Sequence, residues 1–355
     1  MNSINKFFFK SDSMPIDKFI YNALYQKNYG YYAKKNSFGK KGDFITAPEI
    51  SFIFSEMIAI WVISMWEHLS KPKSFNLVEL GPGSGKMCST MIGVFKKFPL
   101  FFNSCNIFLY EKSITLKKLQ QKNLSNEKVC WINNFDKIKS GAVIFLGNEF
   151  FDAIPIKQYK KNKDEIYEKY VKLENNHKIR SFFKKIDSKE SVEIEKYNLF
   201  KKNNFIEYPK QGFGELDIIL KKIKKLNGGL LLIDYGFLNA KKNTSSLQSI
   251  KNHKKNHIFN NVGNADITSL VNFNLLKKFL KKKDLKVNKI VSQEFFLKRI
   301  GILNRAERLG EKMSFKEKSN LYSRLQRLLN PKQMGKLFKV IFAFKLKKKF
   351  LLGFV

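Results

Sequence analysis

The residues best suited to chemistry lie where a short apolar segment meets a glycine-rich turn. Residues 75–80 read as a buried strand, and Glu79 near its end is followed by the sequence Gly81-Pro82-Gly83-Ser84-Gly85. Glycine tolerates positive φ and lets a ligand approach the backbone closely. Several classes of cofactor use such a turn between a strand and a helix. A plain strand-to-helix turn that binds nothing is the alternative.

The spacing of the glycines excludes two ligand classes. A phosphate-binding loop requires Gly-x-x-x-x-Gly-Lys-Ser/Thr, and Leu80 and Met87 stand where its first glycine and its hydroxyl would be. The dinucleotide fingerprint is Gly-x-Gly-x-x-Gly, and Gly85 comes one residue too early for it. Glu79 would also lie unfavourably close to a pyrophosphate. The acid instead suits a ligand with positive charge, such as S-adenosylmethionine with its ammonium and sulfonium groups.

An acid also ends the next predicted strand, 106–111. This residue, Glu111, follows Gly85 by 26 positions. In a doubly wound nucleotide site an acid here accepts hydrogen bonds from both ribose hydroxyls, because a carboxylate has only acceptors. A surface acid stabilised by a helix dipole is the alternative. Asn133, close to Trp131 after the third strand, is the candidate for the adenine edge.

A third group of polar residues follows the fourth predicted strand. Asn148, Glu149 and Asp152 lie there, beside the paired rings of Phe150 and Phe151. Many methyl-transferring enzymes place a polar residue and aromatic rings at this point, where they hold an acceptor nitrogen near the sulfonium. We take the three polar residues as the catalytic candidates. Helix capping by Asp152 is the alternative.

A segment before a long predicted helix is the candidate for a lid over the cofactor and for substrate contacts. Its residues are Asp43, Phe44, Thr46, Pro48 and Glu49. Capping of the helix by Thr46 or Ser51 is the alternative. His253 and His257 have the spacing of a metal pair, but no acid or cysteine neighbours them, so we expect no metal.

Composition indicates a folded globular protein. The chain has 355 residues, of which 43% are hydrophobic, and a formal net charge of +37. This charge favours a nucleic-acid partner. However, Lys, Asn, Phe and Ile are all frequent, which drift of the codons towards A and T would produce. The lysines are also scattered along the chain and do not form a single cluster. We therefore expect no nucleic-acid partner. Three cysteines without metal-like spacing indicate a reducing compartment.

The sequence gives no convincing targeting segment. The most apolar run, 52–66, contains Ser55 and Glu56 and is too short for a membrane span. It reads as a buried helix. A cytoplasmic protein is therefore expected.

Strand and helix patterns alternate along the chain. The predicted strands are 75–80, 106–111, 129–132, 142–146, 228–234, 286–292 and 336–344. The predicted helices are 14–27, 49–69, 113–121, 216–226 and 267–283, with a further helix from the glycine turn to about Lys97. This alternation predicts an α/β fold with a doubly wound, mostly parallel, Rossmann-like sheet of seven strands. Its ligands should bind at the carboxyl ends of the strands.

The same patterns predict a division of the chain into parts. Residues 1–70 are expected to form an N-terminal helical lid segment, and 157–205 an inserted hairpin region. Residues 71–156 and 206–355 are expected to form the core. Within the core, 237–290 are predicted to be a substrate-side segment, with a polar loop over 237–264.

The chain resembles the MidA-like methyltransferases, which include the mitochondrial complex I assembly arginine methyltransferase and bacterial relatives. The resemblance covers nearly the whole chain, and the Gly-Asp-Phe and Asn-Glu-Phe-Phe-Asp segments are its most specific motifs. The matching segments are 29–32, 42–51, 79–85, 148–155, 234–236, Gly263, Ala265-Asp266, Gln293, Phe296, 301–302 and 334–335. There are departures: His257 and Ile258 replace a usual Asp-Pro, and Leu270 and Asn272 replace a usual His and Asp.

The resemblance implies a class I methyltransferase fold, S-adenosylmethionine as cofactor and a protein arginine as acceptor. By position, Gly81, Pro82, Gly83 and Gly85 would surround the methionine part of the cofactor, and Glu79 would face its ammonium. His253 and Asp266 would belong to the substrate side. The departures from the family pattern lie on this side as well.

The partner that the resemblance implies is a protein, with a subunit of respiratory complex I during its assembly as the candidate. In a eukaryote the location would be the mitochondrial matrix. Two alternatives stay open, namely an RNA methyltransferase, favoured by the positive charge, and a cofactor-binding assembly module without transfer activity. The oligomeric state is left open.

Overall fold

The computed structural model describes residues 4–8, 12–33, 46–175, 178–201, 203–239 and 243–355. Asp43 and Phe44 of the predicted lid lie outside these ranges. The described residues divide into two compact units, and each is described by itself. Unit 1 consists of the described parts of Met1–Phe44, Phe151–Asp217 and Leu238–Phe279. Unit 2 consists of those of Ile45–Phe150, Ile218–Phe237 and Leu280–Val355. The predicted domain boundaries differ from this division and remain predictions.

The helices and strands of the described residues have the following bounds. The helices are α1 Ile16–Tyr25, α2 Ala47–Ile50, α3 Phe52–His68, α4 Lys86–Phe95, α5 Pro99–Ser104, α6 Ile114–Asn123, α7 Ser188–Glu195, α8 Lys210–Leu226, α9 Phe273–Lys282, α10 Gln293–Arg299, α11 Ile302–Gly310, α12 Phe315–Leu329 and α13 Met334–Leu337. The strands are β1 Ser13–Pro15, β2 Phe75–Leu80, β3 Cys105–Tyr110, β4 Val129–Ile132, β5 Ala142–Asn148, β6 Lys157–Asn162, β7 Glu165–Leu173, β8 Ile179–Lys185, β9 Phe205–Tyr208, β10 Gly228–Phe237, β11 Leu247–Lys251, β12 Lys254–Asn256, β13 Asp266–Ser269, β14 Val271–Asn272, β15 Lys286–Val287, β16 Val291–Ser292 and β17 Phe338–Lys345.

Unit 2 is built on a mostly parallel sheet with the strand order β15-β17-β10-β5-β2-β3-β4. Strands β10, β5, β2, β3 and β4 pair in parallel, whereas β17 is antiparallel to β10. The predicted parallel α/β sheet is confirmed. The predicted count of seven strands is not, because the predicted strand 286–292 divides into β15 and β16, which both pair with β17. The direction of strand order changes at β2, which lies between β3 and β5. Ligands of such sheets bind outside the carboxyl ends of the strands at this switch point.

The two strands at the switch point are buried on both faces. Every residue of Phe75–Leu80 is buried, and so are the last six residues of β5. A continuous apolar run is what a central parallel strand requires, since helices cover both faces of such a sheet. The polar residues at the carboxyl ends of these strands are therefore held on a rigid support.

The core of unit 2 includes the long apolar helix α3. Trp61 on this helix is fully buried among Phe296, Phe342 and Phe350, and its indole N–H donates to the carbonyl oxygen of Leu352 at 3.0 Å. An all-round apolar helix is stable in water only when it is buried, as here. The helix was predicted as one element over 49–69. The structure breaks it at Ser51, whose extended backbone separates α2 from α3.

Unit 1 contains two antiparallel sheets. Strand β7 pairs with β8, β6 and β1, and β6 also pairs with β9. The second sheet has the order β12-β11-β13. An apolar cluster that includes Phe19, Leu24, Val171 and Ile267 forms the core of this unit.

Two predictions of local structure in unit 1 are wrong. The predicted polar loop 237–264 contains the hairpin β11–β12, with Asn252 and His253 at its turn in the left-handed region. The predicted helix 267–283 begins only at Phe273, because its first residues form β13 and β14. β-branched side chains such as Ile267 and Thr268 favour strands.

In the part of the chain that the structure describes, none of the helices has both the length and the apolar character needed to cross a membrane.

Candidate functional site

The glycine turn between β2 and α4 has the strained geometry that only glycine adopts readily. Gly81, Gly83 and Gly85 have φ values of 61°, 55° and 79°. A Cβ on Gly81 would lie 3.0 Å from Cδ2 of Phe150. The Gly85 N–H donates to the carbonyl oxygen of Pro82 at 2.8 Å, which closes the turn. The backbone at the end of β2 is therefore compact and fixed, with no side chains on three of its residues.

Glu79 places a buried carboxyl group immediately before this turn. Its exposed fraction is 2%, and its Oε2 atom has no hydrogen-bond partner among the described residues. Burial raises the pKa of Glu79 to about 8. A buried carboxyl oxygen without a partner is costly. A cationic ligand group at this point would supply the missing hydrogen bond and the opposite charge.

Glu111 follows β3, which pairs with β2. Its Oε1 atom accepts a hydrogen bond of 2.8 Å from the Ser113 N–H, and its Oε2 atom accepts one of 3.0 Å from Nε2 of Gln120. Burial raises the pKa of Glu111, while these two donors act in the opposite direction. The carboxylate is therefore held in one orientation at the carboxyl edge of the sheet, as a ribose acceptor requires.

Gln120 is a site residue that the sequence analysis missed. It is fully buried on α6, and its Nε2 atom donates both to Glu111 and to the carbonyl oxygen of Gly83, at 2.9 Å. Its Oε1 atom accepts from the indole N–H of Trp131 at 3.0 Å. The sequence carried little signal for it, since a glutamine within a helix rich in lysine reads as a surface residue.

Asn133, the candidate for the adenine edge, lies after β4 and is exposed. Its Oδ1 atom accepts a hydrogen bond of 2.8 Å from Nζ of Lys117 on α6. Helix α6 therefore holds the loop after β4 by a hydrogen bond, and side chains of the same helix also bind Glu111 and the glycine turn.

Glu149 has an unusual backbone at the end of β5. Its φ is 51°, in the left-handed region that non-glycine residues seldom occupy. Its N–H continues the ladder to β10 by donating to the carbonyl oxygen of Ile233 at 2.9 Å. Its Oε1 atom accepts from the Ala47 N–H at 3.1 Å and from Nδ2 of Asn148 at 3.2 Å. Strain of this kind is concentrated at functional sites, where the surrounding structure maintains it.

Asn148 supplies a second polar atom at this edge. The residue is 8% exposed, and its Oδ1 atom has no hydrogen-bond partner among the described residues. The unpartnered acceptor belongs to the same amide that orients Glu149. A ligand with N–H groups would satisfy it.

The segment that precedes α3 contributes to the same edge of unit 2. The N–H of Ala47 binds Glu149, and the Oε2 atom of Glu49 is buried without a hydrogen-bond partner in the described part of the chain. Burial raises the pKa of Glu49, against the opposing charge of Lys86. Within the same ranges neither Thr46 nor Ser51 caps a helix with its side chain. Thr46 and Ser51 nevertheless occupy the N-cap positions of α2 and α3, so the capping alternative for this segment stays open, and Pro48 is buried in the first turn of α2.

The remaining predicted residues belong to unit 1. Asp152 and Asp266 are both buried, and the Tyr32 hydroxyl donates to Oδ1 of Asp266 at 3.2 Å. Burial raises the pKa of Tyr32, and the charge of Asp266 adds to this effect. The carbonyl oxygen of Asp152 accepts from the Ser269 N–H at 3.1 Å. His253 lies exposed at the tip of the β11–β12 hairpin.

The parallel sheet of unit 2, with a glycine turn and buried acids at its switch point, is the arrangement expected of an S-adenosylmethionine-dependent methyltransferase. The sequence profile of a family described as "Putative S-adenosyl-L-methionine-dependent methyltransferase" matches residues 57–291. The chain belongs to this family, which confirms the predicted class of enzyme and its cofactor.

Curated relatives align over most of the chain. The protein arginine methyltransferase NDUFAF7, mitochondrial, of Xenopus tropicalis is 28% identical over 364 residues, which are 95% of this chain and 84% of the relative. The human protein of the same name is also 28% identical, over 87% of this chain and 75% of its own length. The homolog from Caenorhabditis elegans is 30% identical over 79% of this chain and 70% of its own length.

Two solved structures have a similar fold. A protein from Burkholderia thailandensis, crystallised with S-adenosyl-homocysteine, gives a TM-score of 0.82 at 19% identity and covers 97% of this chain and 91% of its own. A native crystal structure of a protein of the same superfamily from that organism also gives 0.82, at 20% identity, over 97% of this chain and 90% of its own. They confirm the predicted α/β fold class.

The residues of unit 2 fit this cofactor. The partnerless oxygen of buried Glu79 suits an ammonium group, and the fixed carboxylate of Glu111 suits a ribose diol. The turn from Gly81 to Gly85 suits a ligand that binds along the backbone, because the positive φ of Gly81, Gly83 and Gly85 keeps the turn compact at the carboxyl edge of the sheet.

Proposed function

We propose that the protein transfers methyl groups from S-adenosylmethionine to an arginine side chain of a protein. The relatives that align over most of the chain are named protein arginine methyltransferases, which supports this acceptor. The observation that carries the proposal is Glu149. Its carboxylate is anchored at the switch-point edge of the sheet on a backbone held in the left-handed region.

An arginine acceptor makes a particular demand on the enzyme. The guanidinium group remains protonated in water and is a poor nucleophile. A carboxylate binds it by forked hydrogen bonds, which fix its orientation and favour electron density on one nitrogen. Glu149 is the residue to which we assign this task, with Asn148 orienting it through the bond of 3.2 Å. Asp152 is retained as a further candidate, and Asp43 and Asp266 as completing groups.

The cofactor supplies an electrophilic methyl group on sulfur. Glu79 binds its ammonium, directly or through water, and the backbone of the turn from Gly81 to Gly85 surrounds its methionine part. Glu111 accepts from the ribose hydroxyls, and Asn133 contacts the adenine edge. These assignments rest on the buried carboxyl of Glu79 and on the two donors that fix Glu111.

The protein substrate that we favour is a subunit of respiratory complex I that is methylated during assembly of the complex. The resemblance to the family that includes the complex I assembly enzyme motivates this partner, and the relatives are named as mitochondrial proteins. We propose a cytoplasmic location in a bacterium and a mitochondrial one in a eukaryote.

The glutamine variant of Glu149 tests the proposal. Glu149→Gln keeps an oxygen for the Ala47 N–H but loses the charge that holds the guanidinium. We expect methyl transfer to fall at least about 100-fold, while the Kd for S-adenosylhomocysteine changes less than about tenfold. Glu307→Gln, at an exposed position of α11, serves as the control and should be unaffected. Full activity of Glu149→Gln would remove Glu149 from the reaction.

The acceptor class is tested by incubating the protein with radiolabelled S-adenosylmethionine and a lysate, and then separating protein from RNA. Label in arginine of the protein fraction supports the proposal. Label in RNA, with RNA binding that weakens steeply as salt rises, would establish the RNA methyltransferase instead. Binding of S-adenosylhomocysteine without transfer to either fraction would indicate an assembly module.

A further inference from the structure

Helix α6 presents a ridge of polar side chains to the loops of the cofactor site. Lys117, Gln120 and Asn123 are spaced by three residues and therefore lie along one side of the helix. Lys117 donates to Asn133 after β4, and Asn123 donates to the carbonyl oxygen of Ser84 at 2.9 Å. Between them, Gln120 makes the three bonds described above. One helix thus fastens the loops that follow β2, β3 and β4.

Gln120 is the buried centre of this ridge. Its exposed fraction is 0%, whereas Asn123 is exposed and Lys117 is half-buried. Its Nε2 atom donates to Gly83 and Glu111, and its Oε1 atom accepts from Trp131, so its three hydrogen bonds reach three different parts of the site. An amide is the side-chain group that can do this, because it donates twice and accepts at the same time.

We propose that Gln120 is a positioning residue that sets the affinity for the cofactor without touching it. Its amide holds the glycine turn and the Glu111 carboxylate at a fixed separation, and it fixes the ring of Trp131 beside them. The free protein is therefore preorganised, so that little ordering is left to occur on binding. The inference rests on the role that we propose for Glu111.

Other side chains at this position would each break a different part of the arrangement. An apolar residue of the same length removes one hydrogen-bond partner from the Gly83 carbonyl, the Glu111 carboxylate and the Trp131 indole N–H. These groups are buried or partly buried, so each loss is costly. A glutamate keeps the acceptor for Trp131. However, when it is ionised it loses both donors and places a second negative charge beside Glu111.

The first experiment measures S-adenosylhomocysteine binding by calorimetry on the full chain. Gln120→Met fills a similar volume without hydrogen bonds, and we expect its Kd to rise about 10- to 100-fold. The matched control is Gln121→Met, since Gln121 is the neighbouring residue and is exposed. Its Kd should stay within about twofold of the wild type.

The pH dependence separates positioning from a general loss of structure. The groups that act on Glu111 are Gln120, the backbone N–H groups of Ser113 and Lys112, and the charge of Lys117. Loss of the Gln120 donor raises the pKa of Glu111 further, so in Gln120→Met the loss of affinity should grow as pH falls. Gln120→Glu should behave in the opposite way. Its new carboxyl becomes protonated at low pH, donates again to Glu111 and restores affinity.

The outcomes are distinct from those that test the proposed function. A Kd of Gln120→Met within about twofold of the wild type overturns the inference, whatever Glu111 does. If Gln120→Met does not fold, Gln120→Glu is the deciding variant. Recovery of its affinity on acidification supports positioning, and absence of that recovery overturns the inference. Glu111→Gln is the separate test of the ribose role. An unchanged Kd in that variant would remove Glu111 from the cofactor site and would also overturn the inference.

Discussion

The Oε1 atom of Glu149 lies 3.1 Å from the backbone nitrogen of Ala47, 102 residues earlier in the chain. The bond joins the end of β5 to the start of α2, so it fixes the carboxylate from outside its own strand. A charged acceptor bonded to a backbone N–H is among the stronger hydrogen bonds of a protein. Glu149 is therefore held both by this bond and by its left-handed backbone.

The first prediction concerns that backbone. Glu149→Ala and Glu149→Gly both lose the carboxylate bonds, but only glycine relieves the φ of 51°. We expect the glycine variant to be more stable than the alanine variant by about 1 kcal/mol, and both to be inactive. Urea unfolding and methyl transfer measure the two effects. Equal unfolding midpoints would show that the backbone at Glu149 is not strained.

The second prediction concerns the stability of the free protein. The pKa of Glu79 is raised from 4.5 to about 8, so the folded state favours its protonated form. The stabilisation of the folded state that comes from protonated Glu79 is fully present below about pH 4.5 and is lost as pH rises towards 8. In Glu79→Gln the loss should disappear. The variant should gain several kcal/mol relative to the wild type, up to about 5, between these limits.

Urea unfolding of both proteins across this range, without ligand, measures the effect. A stability difference between the wild type and Glu79→Gln that does not change with pH would contradict the prediction.

The third prediction concerns proton release on binding. Near pH 7 most Glu79 carboxyls of the free protein are protonated, because the pKa is about 8. An ammonium group beside this carboxyl favours the ionised form, so binding of S-adenosylhomocysteine should release up to about one proton. Calorimetry in buffers of different ionisation enthalpy counts the protons. Glu79→Gln should release fewer, and equal release by both proteins would place the ammonium elsewhere.

The fourth prediction concerns the glycine turn. Gly81→Ala places a Cβ 3.0 Å from the Phe150 ring on a backbone with φ of 61°. It should lower the free energy of unfolding by about 1 to 3 kcal/mol and weaken S-adenosylhomocysteine binding. Gly93→Ala on α4 is the control, because its Cβ would meet nothing within 4 Å. In that helix alanine should be neutral or stabilising, by up to about 1 kcal/mol.

Thermal and urea unfolding of the two alanine variants, followed by calorimetry with the ligand, complete this test. If Gly81→Ala is as stable as the wild type and binds equally well, the turn does not require glycine at that position.

The central strands were predictable because burial on both faces leaves a simple pattern. The structure has β2 and β4 at the predicted bounds 75–80 and 129–132. A continuous apolar run bounded by turn residues has few alternative readings. The apolar pattern also predicted that Glu79 and Glu111 lie at strand ends, because an acid at the end of a continuous apolar run is easily recognised.

The peripheral elements were harder to predict, because lysine and asparagine dominate there. The hairpin β11–β12 has Ser249, Lys251 and Asn256 where an alternating apolar pattern would signal a strand. Its remaining signal is the pair Asn252-His253, since asparagine tolerates the positive φ of a tight turn. That signal is weak in a chain with so many asparagines.

Gln120 could not be found from the sequence for a different reason. Its role depends on three hydrogen-bond partners that lie outside α6, namely Gly83, Glu111 and Trp131. No local sequence spacing links Gln120 to them. Polar residues within helices usually face solvent. Only the tertiary arrangement shows that this one is buried.

The buried, neutral carboxyl of Glu79 gives the free enzyme a vibrational reporter. A protonated carboxyl absorbs infrared light apart from the bands of ionised acids and of the backbone. Difference spectra recorded on adding S-adenosylhomocysteine would show this band vanish as the group ionises, so site occupancy could be followed without a label or a known acceptor.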